Sequence, residues 1–113
     1  MKMHTINPDG SVIDWDYKYS IDMPKTLGLI VGGPIEYVSV LYNDKPATLV
    51  VNEVGASLDP AINPKGQLPP NARATSIYWT ATIRGITGGS FAPLGMPLIH
   101  GTVVLIEKDK REL

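Results

Sequence analysis

Residues 27–40 read LGLIVGGPIEYVSV, an apolar run stopped by Gly32-Gly33 and followed by an alternating stretch. Backwards from the glycines, Met23, Leu27, Ile30 and Val31 fall on one side at helical spacing. Asp22 is placed to cap that helix, and Pro24 sits in its first turn, where a missing N–H costs nothing. Gly32 suits a left-handed C-cap, and Pro34 cannot continue a helix, so the chain must leave extended. Forwards, Ile35, Tyr37, Ser39 and Leu41 alternate with Glu36, Val38, Val40 and Tyr42. Apolar residues on both sides predict a central strand, with Ile35 and Tyr37 delivered to the core. Asn43-Asp44-Lys45 supplies a turn, and residues 47–52 return as a second strand rich in Val and Thr.

Outward from this unit, residues 2–6 and 11–17 flank Asn7-Pro8-Asp9-Gly10, a turn sequence that predicts an N-terminal β-hairpin. On its second arm Ile13, Trp15, Tyr17 and Tyr19 share a face, so that face is expected to pack inward. An isolated ribbon is marginal, so this arm, residues 1–19, must lie on the body or on another subunit. Residues 53–70 carry Gly55, Pro60, Pro64, Gly66, Pro69 and Pro70 with little periodicity, and a loop this long is the first place to look for a site. In residues 71–83, Asn71 can cap a helix whose face is Ala74, Ile77, Tyr78 and Ala81. The same stretch also alternates through Ile77, Trp79, Ala81 and Ile83, as a strand would; helix is the preferred reading. Residues 85–97 form a second Gly- and Pro-rich loop, 98–107 the final strand and 108–113 a charged tail.

The fold expected is a single α+β domain over residues 1–113, with its body at 20–107. It has a mainly antiparallel sheet of three to four strands, covered on one face by two short helices near 23–31 and 71–80. Hydrophobic residues at 43% and charged ones at 19% suit a chain that buries a core. Ten basic residues against eleven acidic ones leave no field to recruit long nucleic acid or an anionic membrane, so any anion needs a local cluster. With no cysteine, thiolate chemistry is excluded. No apolar run approaches the roughly 18 residues that span a bilayer, and the start lacks a signal-peptide core, so a cytoplasmic protein is expected.

Three separated pieces form a pattern: Val31-Gly32-Gly33 with Ile35-Glu36, Asn52-Glu53 with Gly55, and Leu68, Pro70, Asn71 and Ala74. A closing strand near residues 101–105 completes it. Over about residues 21–106 the chain resembles a small domain family of unknown function, widespread in tailed phages, plasmids and other mobile elements. Here residues 56–67 widen the gap between the second and third pieces, and residues 87–96 look like added loop. The resemblance implies a phage-type accessory protein, acting in the host cytoplasm if phage-encoded, and no particular reaction. Small proteins of that company often counter host defences, by sequestering nucleotide signals or by binding a host protein.

Asn52 and Glu53 at a strand exit can bind a ligand's polar edge or satisfy the loop's backbone N–H groups. Asn71, Arg73 and a helix start could hold a phosphate, with Lys65 and Arg84 as further cations; an Asn cap beside an exposed Arg is also routine. Tyr78 and Trp79 can stack on a base or fill core. His4 and His100 have no carboxylate at metal-binding spacing, and no phosphate-binding glycine loop of known type occurs. The expectation is therefore a homo-oligomeric, non-enzymatic binder of a small anionic, nucleotide-like ligand, needing no cofactor or metal. Its site would comprise Asn52, Glu53, Asn71, Arg73 and Arg84. The rivals are a host-protein inhibitor acting through the aromatic hairpin and the 87–96 loop, and a small hydrolase using Glu53 or His100.

Overall fold

In a computed structural model, residues 2–16, 22–64, 66–83 and 98–107 are described, with backbone only for 82–83. Five strands and two helices follow in the order β1 (Lys2–Ile6), β2 (Val12–Asp16), α1 (Met23–Val31), β3 (Ile35–Tyr42), β4 (Lys45–Asn52), α2 (Ala72–Ile83) and β5 (Val103–Glu107). The strands make one antiparallel sheet in the spatial order β2-β1-β5-β4-β3. The α+β class is as expected, but the sheet has five strands where three to four were expected. Of the two places open to the N-terminal hairpin, the structure shows it on the body. β1 pairs on one side with β2 and on the other with β5, because Met3 and Ile6 carry apolar bulk to opposite faces and are both buried.

Local chemistry sets the helix ends. Asp22 caps α1 by accepting from the Lys25 N–H at 3.3 Å, and Gly32, at φ +82°, closes it with its N–H on the Gly28 carbonyl. Residues 72–83 are helical, so tertiary packing of Ala74 and Ala81, both fully buried, decides the ambiguous stretch. The β3–β4 turn puts Asn43 and Asp44 at positive φ, the geometry that favours Asn and Asp among side-chain-bearing residues.

The helices lie on opposite faces of the sheet, not together on one. Alternation along β5 shows this: Val103 and Leu105 join Ile6, Leu49, Val51, Ala74 and Ala81 in the core under α2. Val104 joins Met3, Val50, Leu27 and Val31 in the core under α1, with Ile106 packed against it. A continuous apolar run such as VVLI in β5 fits a strand buried on both faces. β3, expected as a central strand, is an edge strand that among the described residues pairs only with β4. Its two-sided apolarity records helices above and below it, since it contacts both α1 and α2. On it Ile35 packs against the α1 core, whereas Tyr37 is 55% exposed rather than buried. On β2 Ile13 is exposed and Trp15 is half-buried against the α1 core, its Nε1–H donating to Thr5 Oγ1 at 2.9 Å; Tyr17 and Tyr19 lie outside the described residues. Among the described residues no helix is long and apolar enough to cross a membrane.

Candidate functional site

The motif residues that are far apart in sequence meet at one end of the sheet. Asn71 is fully buried and caps α2, its Oδ1 accepting from the Ala74 N–H at 3.0 Å. Its Nδ2 donates to the Ile6 carbonyl at 3.0 Å and the Gly101 carbonyl at 2.9 Å, so one amide ties α2 to the end of β1 and the approach to β5. The Asn71 N–H donates to Ile99 O at 2.8 Å, and Thr75 Oγ1 accepts from the Ile99 N–H at 2.9 Å, which lays residues 98–100 along the helix start. Asn52 does the same for α1. Its Nδ2 donates to Val31 O at 3.2 Å, and its Oδ1 accepts from the Val54 N–H at 3.0 Å. Gly33 lies against that amide so closely that a Cβ there would stand 2.8 Å from Asn52 Nδ2.

Leu68 fills the space between two glycines of the same end. A Cβ on Gly101 would fall 2.7 Å from Leu68 Cδ1, and one on Gly55 would fall 3.3 Å from it. The 53–70 loop is held by its own polar groups: buried Asn63 donates through Nδ2 to Gly66 O at 2.7 Å and Val54 O at 3.1 Å. His100 donates from Nδ1 to Leu68 O at 2.7 Å, which fixes the proton on that nitrogen because a carbonyl only accepts. The structure therefore brings Asn52 and Asn71 to one end of the sheet as backbone-satisfying amides. Glu53 and Arg73 are exposed beside them, and Arg84 and Lys65 lie outside the described residues, as do residues 85–97 and 108–113.

Two further features escaped the reading of the sequence. The first is a groove of about 510 Å³ along α2, lined by Pro70, Ala72, Ser76, Trp79, Thr80 and Leu98. Tyr78 packs against the α2 core while Trp79, one position on, turns to the groove. That split was the available signal, because adjacent aromatics on a helix cannot share a face. Arg73 precedes the groove on the first turn of α2, where free N–H groups and the helix dipole favour negative charge.

The second is a charged row at the other end of the sheet. His4 Nδ1 lies 2.6 Å from Asp14 Oδ1, and His4 Nε2 lies 2.6 Å from Glu107 Oε2. When the ring carries both protons it donates to the two carboxylates at once. Burial alone would push its pKa down; the hydrogen bonds to Asp14 and Glu107 and their charges outweigh that and raise it above the ordinary 6.5. The Tyr42 ring lies 5.4 Å from the imidazole, and Lys2 and Asp16 share the same shallow depression. Asp14 and Glu107 approach opposite nitrogens of the ring, and among the described residues no group of three such side chains is disposed to hold a metal ion.

Comparison with protein-family models, with curated proteins and with solved structures returns no match.

Proposed function

We propose that the chain is a non-enzymatic, phage-type accessory protein that captures a small anionic, nucleotide-like ligand in the groove along α2. The observation that carries this reading is the groove itself: an apolar wall of Pro70, Trp79 and Leu98, with the Ser76 and Thr80 hydroxyls beside it and Arg73 on the adjoining first turn. A ligand with a flat aromatic body and a negative group matches those two chemistries, stacking on the indole while its anion meets the guanidinium and the helix start. Asn52 and Asn71 then act indirectly, by holding the frame, since their amides are spent on backbone groups. Sequestration of a host nucleotide signal is the role such a binder would serve.

The test is incubation of the purified chain with a panel of mono-, di- and cyclic nucleotides, followed by heating to release whatever is bound. Recovery of intact nucleotide supports capture; recovery of altered nucleotide would mean an enzyme. No uptake at all would overturn the reading in favour of a protein partner. Arg73→Ala is expected to weaken capture by about 1–3 kcal/mol, the worth of a charge-assisted contact. Trp79→Ala is expected to cost about 1–3 kcal/mol through lost stacking.

A further inference from the structure

The sheet ends in two edges of very different character. At one, β2 is five residues long and presents Asp14 and Asp16. A second β2 laid antiparallel about Asp14 would set Asp14 opposite Asp14, and like charges directly opposite are destabilising. This edge is protected in the way natural sheets protect edges. At the other, β3 runs for eight residues, IEYVSVLY, with one charged side chain, no lysine and no proline. Glu36, Tyr37 and Ser39 are exposed on it, and among the described residues no strand lies beside its outer row of backbone N–H and C=O groups.

We infer that β3 is a self-association edge, pairing antiparallel with β3 of a second copy of this chain to make one continuous ten-stranded sheet. The occupant follows from self-complementarity. Side chains directly opposite across an antiparallel pair point to the same face, so a two-fold axis through Ser39 is allowed and uses the strand from Glu36 to Tyr42. It sets Val38 opposite Val40, Tyr37 opposite Leu41 and Glu36 opposite Tyr42 of the second copy. The first two are apolar and aromatic–aliphatic pairs of the kind that stabilises sheets, and Glu36 meets no like charge. Tyr42 pairs with Lys45 within the chain, so Glu36 of one copy lies along the same row as the lysine of the other. The Tyr37 ring, half out in the single chain, acquires the Leu41 side chain to lie against. Both α1 and α2 contact β3 from opposite faces, so the helices of two copies would flank the joint without occupying its edge.

Light scattering and sedimentation of the full chain test this. The expected result is a particle of twice the 12.2 kDa chain mass. Ser39→Lys and, independently, Tyr37→Lys place a charge on the joint and are expected to raise the dissociation constant at least tenfold, while Val12→Lys on the β2 edge leaves it unchanged. Both altered positions are exposed, and circular dichroism melting verifies that each variant remains folded. The chain has no cysteine, so Ser39→Cys with a short bis-maleimide gives a clean covalent readout. Ser39→Cys is expected to crosslink to itself and Val12→Cys is not. A monomeric wild type, a dimer indifferent to both lysines, or crosslinking through position 12 instead of 39 would overturn the inference.

Discussion

Asn71 and His4 are both polar side chains at the α2 face of the same sheet, and they are used in opposite ways. Asn71 has no exposed surface, and its side chain bonds only to backbone partners: two carbonyls and one N–H. His4 gives both ring nitrogens to carboxylates, one of which, on Asp14, is 75% exposed. A neutral amide bonded to buried backbone is insensitive to pH and salt and expensive to remove, because its partners cannot turn to water instead. An imidazolium between partly solvated carboxylates is cheap to remove and conditional on protonation. The Asn71 amide is thus architecture, and the His4 row is adjustable.

The strongest way to break that contrast is at Asn71. Asn71→Ala removes the α2 cap and strands the Ile6 and Gly101 carbonyls, and is expected to cost about 3 kcal/mol in denaturant unfolding. Asn71→Asp keeps the capping oxygen but turns a carboxylate oxygen toward those two carbonyls, so it is expected to cost no less than alanine. A cost near that of a simple cap, about 1 kcal/mol, would show that the tie to β1 and the residues before β5 is unimportant.

At Gly33 and Asn52 the contrast can be sharpened by coupling. Gly33→Ala drives a methyl onto Asn52 Nδ2 and is expected to cost about 1–3 kcal/mol. Asn52→Ala leaves Val31 O and the Val54 N–H unpaired at a similar cost. The double variant is expected to lose at least about 1 kcal/mol less than the sum, since the shorter side chain at position 52 makes room for the methyl at position 33. Simple additivity would mean that the amide does not hold the glycine's place.

The smallest effect belongs to His4. Its folded-state pKa is raised, so its contribution to stability is complete below the unfolded value of about 6.5 and is lost as pH rises through the folded value. With Asp14 mostly solvated the loss is expected to be at most about 1 kcal/mol. Unfolding followed across that window should show the decline in the wild type and none in His4→Gln. The Asp14, Glu107, Lys2, Asp16 and Tyr42 groups around the ring are the same in both chains, which isolates the imidazole.

Much of the fold could be read locally and some of it could not. The Asp22 cap, the Gly32 stop, the Asn7-Pro8-Asp9-Gly10 turn and the Asn43-Asp44 turn are short-range chemistry, and each element they bound appears in place. The insertion of β5 between β1 and β4 joins partners far apart in the chain, such as Met3 with Ile106 and Ala47 with Glu107, and nothing local specifies it. The two-sided apolarity of β3 suggests lateral burial and hence helices on one face, when it reports coverage from above and below. The same limit hid the row of His4, Asp14 and Glu107, which exists only in the register of three strands. For the candidate site, the motif asparagines were visible as polar residues at element ends, but their hydrogen-bond partners were not. The groove follows from Trp79 facing away from the core, which only the placement of α2 on the sheet decides.

Nuclear magnetic resonance of the isotope-labelled chain, titrated with the nucleotide that it retains best, puts this division most directly to the test. Shifts are expected in the backbone amides of Ala72, Arg73, Ser76 and Thr80 and in the Trp79 indole, while the side-chain amides of Asn52, Asn63 and Asn71 stay still. Shifts centred on Asn52 and Glu53, with α2 silent, would contradict it.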